Sequence, residues 1–139
     1  MVRPENIATR LASLRRYLGL LHALRARPFS EIRADPLLQG GLERYLFLAA
    51  QASIDGAEMA CVIKGFGRPE SMTQGFALLE AAGVLPPALG ESLRRMVGFR
   101  NALVHGYENL DYGIVEDALR VRIADIEEFA VLIERLLTD

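Results

Sequence analysis

The sequence predicts an all-α protein, an antiparallel bundle of about five helices forming a single domain over residues 1–139. Three observations predict it. Leu and Ala together supply 40 of the 139 residues and Thr only three, a palette that favours helices over sheets. Apolar residues recur at spacings of three and four over long stretches. Proline and glycine signals cut the chain into five such stretches. With 51% hydrophobic and 24% charged residues, the chain can build a sizeable core, and intrinsic disorder is excluded.

The first helix is expected from about Asn6 to Arg27, where Ile7, Leu11, Leu14, Leu18, Leu21 and Leu24 hold the helical period until Pro28 stops it. The second opens at Asp35-Pro36, an N-cap acid followed by proline at the first helical position. It continues through Leu42, Leu46, Ala49 and Ala52 to about Lys64, and Gly65, Gly67 and Pro69 then form a loop. Ser71-Met-Thr-Gln74 has the capping-box form and Gly83 stands where a C-terminal cap glycine belongs, which predicts a short third helix over 72–82. Pro86-Pro87 start the fourth, carrying Leu89, Leu93, Met96, Phe99 and Leu103 before Gly106. Asp111 can cap the last, where Leu119, Ile123, Ile126, Ala130, Ile133 and Leu137 keep the period to the end. Leu119-Arg-Val-Arg-Ile123 alternates like a strand, but the helical pattern that follows outweighs it.

Several function classes fall away. Asp55 and Glu58 interrupt the longest apolar stretch, Tyr45 to Val62, so no membrane span is expected. The first residues, Met-Val-Arg-Pro-Glu-Asn, lack the apolar run of a signal peptide, which points to a soluble, cytoplasmic chain. A single cysteine, Cys61, forbids an internal disulfide, and neither a metal site nor a cofactor is expected. The net charge of −2 gives no global signature of nucleic-acid binding. The charge is nevertheless polarised. Residues 1–34 hold seven Arg against Glu5 and Glu31, while residues 108–139 hold nine acids against Arg120, Arg122 and Arg135.

The stretch with chemical potential is Arg100-Asn-Ala-Leu-Val-His105-Gly-Tyr107, which packs a permanent cation, an amide, an imidazole and a phenol into eight residues at a helix end. His22, the other histidine, lies among leucines on the first helix and is expected to play no catalytic part. At roughly 100° per residue, Asn101 falls about −40°, Gly98 about +20° and Arg94 about −20° from His105, on one stripe. Arg100 falls at about −140°, on the margin of the apolar side. A straight helix therefore cannot aim Arg100 and His105 at one atom. Either the helix distorts near Gly106, or the arginine stem reaches around, or two copies meet across a two-fold axis. An arginine at the edge of a core also demands a partner, because an unpaired buried charge is costly. Asp55, set among Leu48, Ala52, Met59 and Val62, is the expected partner.

The run Gly98-Phe-Arg-Asn-Ala-Leu-Val-His-Gly-Tyr107 resembles the Arg-x-x-x-x-His-x-Tyr signature of the HepT-like family of HEPN-domain ribonuclease toxins. Ala34-Asp-Pro-Leu-Leu38, Gln51-Ala-Ser-Ile-Asp55, Arg68-Pro-Glu-Ser71 and Glu80-Ala-Ala-Gly-Val84 resemble family segments in the same order. Gly106 departs from the pattern, since that slot is often larger or charged. The resemblance implies a HEPN-like, two-fold symmetric homodimer acting as a metal-independent endoribonuclease, in which the RNA 2′-hydroxyl attacks the adjacent phosphorus. His105 would move protons, Arg100 would neutralise the phosphoryl oxygens, and Asn101 would orient the imidazole or bind phosphate. Arg94, on the same stripe, is a candidate backbone contact, and Asp55 a supporting residue. The resemblance further implies an MntA-type nucleotidyltransferase antitoxin that transfers AMP to Tyr107, filling the RNA cleft. Two other readings compete: a non-catalytic HEPN adaptor or nucleotide-binding partner of a nucleotidyltransferase, and a helical scaffold with a vestigial motif.

Overall fold

Helix α3, Pro36–Lys64, runs through the centre of the molecule, and the other helices gather around it. The computed structural model describes residues 4–105 and 109–139. In chain order these form α1 (Pro4–Arg25), α2 (Phe29–Ala34), α3, α4 (Gln74–Ala81), α5 (Pro87–His105), α6 (Tyr112–Asp117), a π-helical turn (Ala118–Arg122) and α7 (Ile123–Thr138), with no strand among them. The all-helical class is as the sequence predicts.

The predicted apolar stripe of α1 is the buried one, from Ile7 through Leu11, Leu14, Leu18 and Leu21 to Leu24. It lies along α3, whose inner face is made of Leu42, Leu46 and a run of small residues from Ala49 to Ala60. Small side chains let neighbouring helices approach closely. Gly75 shows this most sharply, because a Cβ there would stand 3.3 Å from Ala57 Cβ and from the backbone nitrogen of Glu58. Phe76 and Phe129 meet edge to face beside this crossing, with ring centroids 5.6 Å apart. Ion pairs trace the direction of packing. Arg15 binds Glu134 and His22 binds Glu127, so α7 runs antiparallel to α1. Eighteen residues of α3 are apolar enough, by length and composition, to cross a membrane, but 56% of that window is buried in the bundle, as a core helix requires.

The predicted caps form, with local shifts. Asp35 accepts a hydrogen bond from the Leu37 amide at 2.9 Å with Pro36 at the first helical position. At the start of α4 the Ser71 hydroxyl accepts from the Gln74 amide at 3.3 Å, and Gln74 reaches back to the Glu70 amide. The box is displaced so that α4 begins at Gln74 rather than 72. Gly83 follows α4 at φ +79°, the left-handed conformation that glycine adopts without strain.

Two elements differ from expectation. The segment after Pro28 is helical, because Phe29 and Ile32 bury themselves at the turn between α1 and α3. The strand-like alternation of residues 119–123 becomes a π-helical turn. Its wider winding buries Ala118, Leu119 and Ile123 while Arg120 donates to the carbonyls of Arg25 and Arg27 at 2.6 and 3.1 Å. Those carbonyls lie at and just past the C-terminal end of α1, where a cation complements the unpaired acceptors.

Candidate functional site

Arg100, Asn101 and His105 ride on the last two turns of α5. Leu89, Leu93, Val97 and Leu103 are buried and pin this helix to the core. Met96 and Phe99 are half-buried. Arg100 sits at the margin of that apolar face, half-buried, and His105 is exposed at the helix end. Gly106 and Tyr107 lie outside the described residues.

Among the described residues Arg100 is held without a carboxylate. Its Nε donates to Gln51 Oε1 on α3 at 2.8 Å, and one terminal nitrogen donates to Asn101 Oδ1 at 2.9 Å. The guanidinium carbon lies 5.2 Å from the centroid of the Phe47 ring, close enough for a cation–π contact. The expected Asp55–Arg100 pair does not form. Gln51 stands one turn nearer and its longer side chain fills the place opposite Arg100. Its Nε2 donates to Asp55 Oδ1 at 2.9 Å. The other carboxylate oxygen of Asp55 faces Arg10 on α1 at 3.8 Å. Asp55 thus reaches Arg100 through Gln51, and among the described residues no acid contacts the guanidinium.

Of the three possibilities for joining Arg100 to His105, a distortion near Gly106 falls outside the described residues. The helix stays α-helical through His105, and the Arg100 stem carries the guanidinium round to Asn101, which shares the stripe of His105. Among the described residues no hydrogen bond joins Arg100 or Asn101 to His105. Asn101 accepts from the arginine; of its two expected roles, orienting the imidazole or binding phosphate, the first has no hydrogen bond among the described residues. Arg94, the candidate backbone contact, is held by Glu80 on α4 at 2.7 Å. The structural reason is the tight α4–α5 packing at Gly90, where a Cβ would collide with the Glu80 carboxylate.

Three contributors escaped the sequence reading. Arg44, Phe47 and Gln51 stand at i, i+3 and i+7 on α3, the spacing of a single helix face, and Gln51 and Asp55 are one turn apart. Their periodicity was visible, but their partner helix was not.

The surroundings are apolar on one side and acidic on the other. A hollow of about 210 Å³ between α3, α5 and the α6–α7 region is lined by Leu46, Ala50, Met96, Phe99, Ile114 and Ile126, among others. Neither Arg100 nor His105 lines it. Beyond Asp55, Glu58 has its carboxyl pKa pushed up by burial and by the charge of Asp55. On α6, Tyr112 donates a short hydrogen bond to Glu43; burial raises its phenol pKa, and that bond raises it further. Among the described residues no group of three or more His, Cys, Asp or Glu side chains is arranged to hold a metal ion.

The all-helical bundle is the fold of solved HEPN toxins. Residues 8–133 match the ribonuclease HepT-like family, and the chain belongs to that family. It is 30% identical over 105 residues to the mRNA nuclease HepT of Shewanella oneidensis, covering 76% of this chain and 79% of that protein. It is equally 30% identical over 115 residues to the tRNA nuclease HepT of Aphanizomenon flos-aquae, covering 79% and 75%. Among solved structures, the tri-AMPylated Shewanella oneidensis HEPN toxin in complex with its MNT antitoxin superposes with a TM-score of 0.85 at 27% identity, covering 93% of this chain and 96% of that one.

Proposed function

We propose that this chain is the toxin of a toxin–antitoxin pair, a metal-independent endoribonuclease restrained by AMP transfer to Tyr107 from an MntA-type nucleotidyltransferase. The observation that carries the reading is the state of Arg100. The guanidinium is positioned by two neutral amides and an aromatic ring, so its charge stays available to a phosphodiester. A carboxylate in direct contact would have neutralised it.

In this reading two copies meet across a two-fold axis, bringing their α5 ends to one groove. His105 takes the proton of the RNA 2′-hydroxyl as the 2′ oxygen bonds to phosphorus. The bond to the 5′ oxygen breaks, and that oxygen leaves with a proton from the second copy's imidazole. Arg100 stabilises the charge gathering on the phosphoryl oxygens, for which its planar fork is suited. Exposure of His105 at the helix end leaves it accessible to a strand of RNA. AMP on Tyr107, two residues away, adds a phosphate charge that repels the backbone from the groove.

The test uses purified chain and end-labelled RNA in excess chelator. Wild type is expected to cut, and His105→Ala and Arg100→Ala to lose cutting while retaining native circular dichroism. Activity that vanishes with chelator and returns with metal contradicts the metal-free chemistry. Undiminished cutting by both variants removes the site assignment.

A further inference from the structure

We infer that Arg44 and Arg100, placed around the Phe47 ring, form a two-phosphate subsite in which Arg44 grips the RNA backbone one phosphate away from the bond that is cut. The inference rests on the nuclease reading for the identity of its ligand, and adds a contact that the Arg-x-x-x-x-His motif does not contain.

Phe47 is half-buried on α3. The Arg44 guanidinium carbon lies 5.5 Å from its ring centroid, and that of Arg100 5.2 Å. One ring thus gathers two permanent cations from two helices. Neither contacts a carboxylate within the described residues. The adjacent acid, Glu43, is turned away and engaged by the Tyr112 hydroxyl, and Asp55 is engaged by Gln51 and Arg10. Some other cations are matched, Arg15 by Glu134, Arg27 by Glu31, Arg94 by Glu80 and Arg95 by Glu91; Arg16 and Arg33 also stand over rings, but each has its ring to itself.

Each cation is held to the same ring without a counter-charge among the described residues, and a phosphate on each supplies that counter-charge. The aromatic ring restrains both stems, so little side-chain freedom is lost when the anion arrives. Arg44 is exposed while Arg100 is half-buried, which suits a strand that enters from solvent past Arg44 and is held at Arg100. A guanidinium supplies forked donors to phosphate oxygens. Such a contact carries no base information, so it serves affinity and register rather than sequence preference.

The experiment measures binding of a fluorescently labelled single-stranded RNA by anisotropy, in the cleavage-silenced His105→Ala background, across a series of KCl concentrations. Each phosphate contact on a single strand contributes a slope of about −0.7 in log K against log salt. Adding Arg44→Ala is expected to flatten the slope by about 0.7, so that raising KCl from roughly 50 to roughly 200 mM costs the parent about two- to three-fold more affinity than the variant. Arg44→Lys is expected to keep the slope, and Arg95→Ala, whose cation is matched by Glu91, to change nothing. In the cleavage-competent chain, Arg44→Ala is expected to raise KM and leave kcat within about two-fold, as loss of uniform binding does. An unchanged slope and affinity in Arg44→Ala overturns the subsite while leaving the nuclease reading intact. A parent that binds no RNA at all overturns both.

Discussion

Replacing Gln51 with leucine tests how Arg100 is positioned. The change keeps approximate volume and removes both amide contacts, the 2.8 Å bond from Arg100 and the 2.9 Å bond to Asp55. A hydrogen bond to a charged group contributes about 1.5–3 kcal/mol when buried. All three side chains are only half-buried, so water replaces part of each loss, and about 0.5–1 kcal/mol per bond is the appropriate scale. The expected cost is about 1–2 kcal/mol, which for a chain of this length lowers Tm by roughly 3–8 °C. A double-mutant cycle with Arg100→Met, followed by urea unfolding, should return a coupling of about 0.5–1 kcal/mol between the two positions. The same variant should lose kcat more than it raises KM, because a guanidinium free to swing no longer meets the developing charge. Gln51→Glu sets a carboxylate directly against Arg100 and should lose activity as well, because it neutralises the charge that a neutral amide leaves available. Strict additivity in the cycle, with equal activity for Gln51→Leu and wild type, would refute the relay.

Burial pushes the Cys61 thiol up from the ordinary 9.0 to about 11, with the Glu58 charge adding to the effect. The unfolded thiol loses its proton first, so stability is complete below about pH 9 and falls as pH climbs towards 11; urea unfolding across that range should show a smaller decline in Cys61→Ala. Gly75→Val forces a side chain against Ala57 and the α3 backbone and should cost about 1–3 kcal/mol by thermal unfolding. Gly19→Ala, exposed in α1 with nothing within 4 Å of the added carbon, should instead stabilise by about 0.5–1 kcal/mol. A purified MntA-type partner with ATP should add AMP mass to wild type and none to Tyr107→Phe by intact-protein mass spectrometry; full addition to the variant moves the modification elsewhere.

The pattern of local signals carried most of the fold. The leucine stripe of α1 and the Asp35-Pro36 cap are written in neighbouring residues, and each behaves in the structure as its spacing implies. What depends on distant packing was not legible. Phe29 and Ile32 sit in a short helix buried at the turn between two long helices, and Ala118–Arg122 wind as a π turn from which Arg120 donates to the end of α1. The candidate site divides in the same way. The Arg100 and His105 spacing stands out in one line of sequence, whereas the choice of Gln51 over Asp55 depends on the height at which α5 crosses α3. Side-chain length then decides which polar group meets the guanidinium.

The most direct test of the central claim is the chemistry of the cut ends. If Arg100 and His105 drive attack by the neighbouring 2′-hydroxyl, mass spectrometry of a short RNA cut in excess chelator will show a 2′,3′-cyclic phosphate and a 5′-hydroxyl, and a 2′-deoxy substitution at the cut nucleotide will abolish cleavage there. A 3′-hydroxyl facing a 5′-phosphate, or undiminished cutting at the deoxy position, would mean that water rather than the ribose is the nucleophile and that the account is wrong.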